Sequence, residues 1–120
     1  MAWLARIPRT EQYTSAVVVG ELFEGAHRST DPRHLEGITA RILPAITVLP
    51  YDVAVARVYG AIQAGLAARG RTMADSDAMI AATAAHHGLS LVTRNLRHFE
   101  RVAGLRVERI LAETRGTRRR

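Results

Sequence analysis

The side chains best placed to do chemistry are crowded into one stretch, Arg71 to Phe99, which reads RTMADSDAMIAATAAHHGLSLVTRNLRHF. Asp75 and Asp77 stand at its start, directly before a run in which Met79, Ile80, Ala82, Thr83 and Ala84 leave almost no polar face. The run predicts a buried helix that Gly88 ends. Leu89, Leu91 and Val92 then read as a short strand buried on both faces, as in a parallel sheet. Sheets of that kind bind ligands beyond the carboxyl ends of their strands, and Thr93, Arg94 and Asn95 fall there. Asp77, at the N-terminus of the helix, can point towards the same rim. A carboxylate, a hydroxyl and two polar donors would then share one ligand-binding edge.

Asp is also the residue that a helix N-terminus favours, because it accepts backbone N–H bonds and complements the helix dipole. Capping and rim chemistry therefore both stay open for Asp75 and for Asp77. Positions two apart on a helix do not share a face, so the two acids are expected to look in different directions. His86 and His87 are adjacent at the helix end and lack the i,i+4 spacing of a zinc site. His98 lies near the proposed rim.

The elements that must position this edge follow from the rest of the chain. Ala2 to Arg6 reads as the end of a helix closed by Pro8. Tyr13 to Val18 is a β-branched run that should yield to helix near Val17 or Val18, with Leu22, Phe23 and Ala26 at helical spacing. Gly20 and Gly25 would each cost that helix about 1 kcal/mol relative to Ala, so another group is expected to approach the backbone there. Glu21 sits one turn in without a basic partner at helical spacing, whereas Glu24 and Arg28 make an ordinary i,i+4 pair.

Asp31 and Pro32 open a helix expected to run to about Leu43, where Pro44 stops it. Ile46, Val48 and Leu49 form a short strand, and Asp52 caps a long helix with Val55, Val58, Tyr59, Ile62 and Leu66 on one side. Gly70 terminates it. After the central unit, Phe99 and Val102 predict a helical turn, and Leu105 to Ile110 a last strand whose charges place it at a sheet edge.

The chain has 120 residues, 48% of them hydrophobic, which suits one domain with a sizeable core. No apolar run approaches the roughly 20 residues that cross a bilayer, and the start lacks the regions of a signal peptide, so a cytoplasmic protein without membrane contact is expected. The absence of cysteine removes disulfides and thiolate zinc sites. Net charge is +6, but four arginines lie in the last six residues, and without them 13 basic residues face 11 acidic ones. The domain is accordingly expected over residues 1–112, and 113–120 as a disordered basic tail able to grip phosphates nonspecifically.

Three blocks taken together carry a resemblance: Thr14 to Ala26 with Glu21, Asp77 to Ala82, and Leu91 to Phe99. In this order and at these separations the sequence resembles the PIN-domain ribonucleases, in particular the VapC toxins of bacterial toxin–antitoxin pairs. The resemblance implies an α/β fold, a parallel sheet of about five strands with helices on both faces. It implies a metal-dependent endoribonuclease that uses Mg²⁺ or Mn²⁺, an RNA substrate, a VapB-like antitoxin and a homodimer. Position by position, it assigns Glu21 and Asp77 to the catalytic, metal-holding acids, Asp75 to an auxiliary ligand, and Thr93 to the hydroxyl at the strand end. The family's fourth acidic position falls at Asn95 or His98, neither of them an acid. Arg94 and Arg97 are then the candidate RNA-binding residues.

The family's first motif, a hydrophobic strand at the centre of the sheet that ends in Asp, would precede Ala2 and does not occur in the sequence. The expectation is a PIN-like sheet lacking that strand, in a chain that starts late or has decayed, with weakened metal binding and little catalysis. The alternative is a noncatalytic relative that binds antitoxin or RNA. A small basic DNA-binding domain is a third class, for which no helix-turn-helix pair is found.

Overall fold

The structure is a computed structural model that describes residues 12–93 and 96–109. The chain runs β1 (Tyr13–Ser15), α1 (Ala16–Arg28), α2 (Pro32–Gly37), β2 (Thr47–Leu49), α3 (Val53–Ala67), α4 (Asp75–His86), β3 (Leu91–Thr93), α5 (Leu96–Phe99) and β4 (Val107–Arg109). Both strand pairings are parallel, as the buried-strand pattern requires of an α/β fold. Among the described residues the strands form two separate pairs. β1 lies beside β2, with Thr14 opposite Val48, and β3 beside β4, with Val92 opposite Glu108.

Each helix start has a local cause. The Ser15 hydroxyl accepts from the Val18 amide at 3.0 Å and opens α1 at Ala16. Helix thus begins earlier than the β-branched run predicts, because one satisfied N-cap outweighs the weak strand preference of three valines. Asp31 caps α2 through the Arg33 amide, and Asp52 caps α3 through the Val55 amide, both as expected. α2 does not continue to Leu43 as a regular helix. It loosens into a π turn at Ile38–Ile42 and tightens into a 3₁₀ turn at Leu43–Ala45. Pro44 has no N–H to extend an α-helical ladder, which accounts for the change of winding.

The glycines of α1 do not mark a close approach. Among the described residues nothing lies within 4 Å of where a Cβ would stand at Gly20 or Gly25, so no described group makes the expected approach. Gly70 and Gly88 behave differently, with φ of 68° and 66°, the left-handed turn that stops α3 and α4.

The core that positions the central stretch is the seam between α3 and α4. Leu66, Met73, Ala78, Ala81, Phe99 and Val102 form one buried cluster, with Tyr59, Ile62, Leu91, Leu105 and Val107 packed against it. Ala78, Ala81 and Ala82 are fully buried, and their small side chains let the backbone of α3 come close. Burial of Val55 or Leu66 stabilises the fold by roughly 1.5 to 3 kcal/mol each. Thr83, also buried, satisfies its hydroxyl on the Met79 carbonyl one turn back. The strand after Gly88 is half-buried at all three residues where full burial was expected, and among the described residues β4 is its one hydrogen-bonded neighbour. Arg106 ties this pair to the helix end by donating to the Gly88 carbonyl.

Candidate active site

α4 starts at Asp75, and its N-cap position is Ala74, which has no side chain to accept a bond. Neither aspartate is therefore the N-cap. Asp75 occupies the first turn with its side chain turned to α3, where the Tyr59 hydroxyl donates to Oδ1 at 3.0 Å. That bond, aided by partial burial and by the carboxylate's charge, holds the Tyr59 phenol above its usual range. Asp77 looks elsewhere. Its Oδ2 meets His98 Nε2 at 3.0 Å, and both side chains are about one-third exposed, 35% and 27%. The two acids thus face different directions, as their spacing requires.

His98 brings the two ends of the central stretch together. It lies on α5, directly beyond the carboxyl end of β3, so its bond to Asp77 holds the first turn of α4 against that strand end. Three further contacts hold this residue. Phe99, buried in the core, stacks edge-on at 5.2 Å between centroids, the Arg101 Nε donates to the His98 carbonyl at 3.1 Å, and Arg101 Nη2 reaches Nδ1 at 3.4 Å. A guanidinium can only donate, so Nδ1 accepts and Nε2–H is left to donate to Asp77. Asp77 Oδ1 has no hydrogen-bond partner among the described residues.

The remaining sequence candidates are distributed as follows. Thr93 is half-buried at the end of β3, opposite Arg109 in register. Glu21 is exposed on α1, a helix that packs against α4, and makes no hydrogen bond or ion pair among the described residues. Arg97 is exposed on α5. Arg94 and Asn95 lie outside the described residues, as do the start and the basic tail. Tyr59, Arg71 and Arg101 were not legible as site residues, since each stands outside the three family blocks or fits an ordinary helix surface. His98 was placed near the rim, but its bond to Asp77 has no sequence signal.

The Mg²⁺ or Mn²⁺ ion that the family resemblance implies needs several oxygen ligands converging on one point. Among the described residues no three His, Cys, Asp or Glu side chains come together in a way that could hold a metal ion. Asp77, Glu21 and Asp75 therefore do not fit the ion by themselves. What the described site does offer is a half-buried carboxylate with one oxygen held and one open, next to a cluster of arginines.

A PIN-domain family model matches residues 1–105. Among relatives, the chain is 44% identical over 94 residues to the tRNA(fMet)-specific endonuclease VapC of Shigella flexneri, covering 78% of this chain and 71% of that one. It is 39% identical, with the same coverage, to Ribonuclease VapC2 of Haemophilus influenzae. Among solved structures it matches DNA-bound VapBC from Salmonella typhimurium with a TM-score of 0.76 at 37% identity, covering 81% of this chain and 74% of that chain. It matches FitAcB from Neisseria gonorrhoeae with a TM-score of 0.80 at 32% identity, covering 88% and 80%. The parallel strands, the acid-bearing helix over the end of β3 and this agreement in sequence and shape lead to one conclusion: the chain belongs to the PIN-domain family, among its VapC-type ribonucleases.

Proposed function

We propose that this chain acts as an endoribonuclease toxin of a type II toxin–antitoxin pair, with Asp77 as the carboxylate at its reaction centre. The supporting observation is the Asp77–His98 bond, which holds one carboxylate oxygen and leaves the other open beyond the end of β3. A carboxylate so placed can orient or deprotonate a water beside a phosphodiester. Glu21 and Thr93 are the proposed companions, with Asn95, from outside the described residues, completing the set, and Arg94 and Arg97 gripping the RNA backbone.

Divalent-metal dependence is part of the proposal by family membership: Asp77, with Glu21 and Asp75 as the further candidate ligands, would hold Mg²⁺ or Mn²⁺ only together with groups outside the described residues. Weak metal affinity and slow cleavage belong to the same proposal, because the family's fourth acidic position falls at Asn95 or His98, neither of them an acid. A VapB-like antitoxin is the proposed partner, supported by the VapBC complexes among the solved structures, and a homodimer in the cytoplasm is the proposed assembly. No helix of the described residues is long and apolar enough to cross a membrane.

The test is cleavage of RNA by the purified chain with Mg²⁺, with Mn²⁺ and with a chelator. Initiator tRNA, the substrate in the name of the Shigella relative, is the first RNA to try. Asp77→Asn is expected to lower the rate by about 100-fold or more. Cleavage that is indifferent to Asp77 would overturn the assignment, and cleavage indifferent to the chelator would overturn the metal dependence.

A further inference from the structure

A cleft of about 490 Å³ opens beside the Asp77–His98 pair, lined by Arg71, Arg97, His98, Glu100 and Arg101. Three arginines and one glutamate thus share its lining. Glu100 pairs with none of them among the described residues, and the side chains of Arg71 and Arg97 make no hydrogen bond or ion pair there either. The planar forks of guanidinium groups gathered in one concave site match phosphate oxygens.

The cleft is also anchored. Arg101 is bound through Nε to the His98 carbonyl, and its own carbonyl accepts from Arg69 Nη2 at 3.0 Å. Arg71 enters from the segment between α3 and α4, and its amide donates to the Leu66 carbonyl at 2.8 Å, which fixes its backbone to the buried seam. His98 lines this basic cleft and also bonds Asp77, so the cleft and the candidate reaction centre share one side chain.

We propose that this cleft is a phosphate subsite for the backbone of single-stranded RNA, with Arg71, Arg97 and Arg101 holding the phosphate next to the one at the reaction centre. The subsite rests on the ribonuclease reading and adds Arg71 and Arg101, from two different segments, to its substrate contacts. Phosphate contacts of this kind set register and affinity without reading sequence.

The experiment is fluorescence-anisotropy binding of a 2′-O-methyl oligoribonucleotide, which resists cleavage, across a series of KCl concentrations. Arg71→Ala and Arg97→Ala are each expected to weaken binding several-fold regardless of sequence and to lower the slope of log affinity against log salt by about 0.7. Glu100→Gln is expected to tighten binding, a gain that misfolding does not produce. Arg57→Ala, an exposed arginine of α3 outside the cleft, should leave both readouts unchanged. Unchanged slopes in both arginine variants would overturn the subsite. The two readings fail separately. Asp77-dependent cleavage with unaltered binding in the arginine variants removes the subsite alone, and weakened binding in a chain without Asp77-dependent cleavage removes the nuclease alone.

Discussion

Gln63 and Met73 exchange two hydrogen bonds: the Gln63 Nε2 donates to the Met73 carbonyl at 2.9 Å, and the Met73 amide donates to Gln63 Oε1 at 3.2 Å. One side chain of α3 thereby satisfies both backbone groups of a buried residue in the segment leading to α4. Gln63→Ala leaves that amide and carbonyl without partners and should destabilise the fold by about 1 to 3 kcal/mol. Urea denaturation followed by circular dichroism measures it, and no change in midpoint would show that water replaces the side chain at no cost.

The seam between α3 and α4 makes opposite errors of volume equally informative. Leu66→Ala removes packing at a position 1% exposed and should cost about 2 to 5 kcal/mol. Ala81→Leu adds volume at a fully buried position in the cluster with Leu66 of α3 and should cost about 1 to 3 kcal/mol. A tolerated Ala81→Leu would mean that the helices are not held at close distance.

Two glycines should respond with opposite sign. Gly88 has φ of 66°, where an added Cβ costs about 1 kcal/mol or more, so Gly88→Ala is expected to lower the melting temperature. Gly20 lies within α1 with no described group within 4 Å of an added Cβ, and Gly20→Ala should stabilise by about 1 kcal/mol. Thermal melts of the two variants side by side decide the matter.

Stability should change at both ends of the pH scale, through two separate contacts. The Arg33 side chain, then the Arg33 amide, holds the Asp31 carboxyl below its ordinary value. That contribution is fully present above the unfolded value near about 3.9 and is lost as pH falls through the lower folded one. Asn keeps the cap without the charge, so the stability gap between the wild type and Asp31→Asn should narrow below about pH 4. Tyr59 is raised by its bond to Asp75, so its contribution is present below about pH 10 and lost as pH rises through the higher folded value. Tyrosinate absorbance of the wild type against Tyr59→Phe follows the second directly.

Much of the fold was legible because its causes are local. Asp31 with Pro32, Asp52, Gly70 and Gly88 punctuate the helices where the sequence places them, since a cap or a left-handed turn needs only neighbouring residues. The Glu24–Arg28 pair forms at 2.8 Å for the same reason. The errors arose where two local tendencies compete. The valines after Ser15 favour strand, but a satisfied serine cap carried them into helix, and the residues before Pro44 wind as π and 3₁₀ turns because helix propensity and a missing N–H conflict.

The candidate site was legible in part. Residue types and order alone brought Glu21, Asp77 and Thr93 forward and carried the family, because a combination of spaced acids and a buried strand survives without coordinates. Which carboxylate meets which partner was decided only by tertiary packing. The angle between α3 and α4 turns Asp75 to Tyr59, and the turn after β3 delivers His98 to Asp77 across twenty-one positions. The arginine cleft belongs to the same class of fact: Arg71 and Arg101 are distant in sequence and become neighbours only once the helices dock. Local chemistry is written along the chain, whereas the direction of a side chain in space depends on how buried surfaces of separate elements fit together.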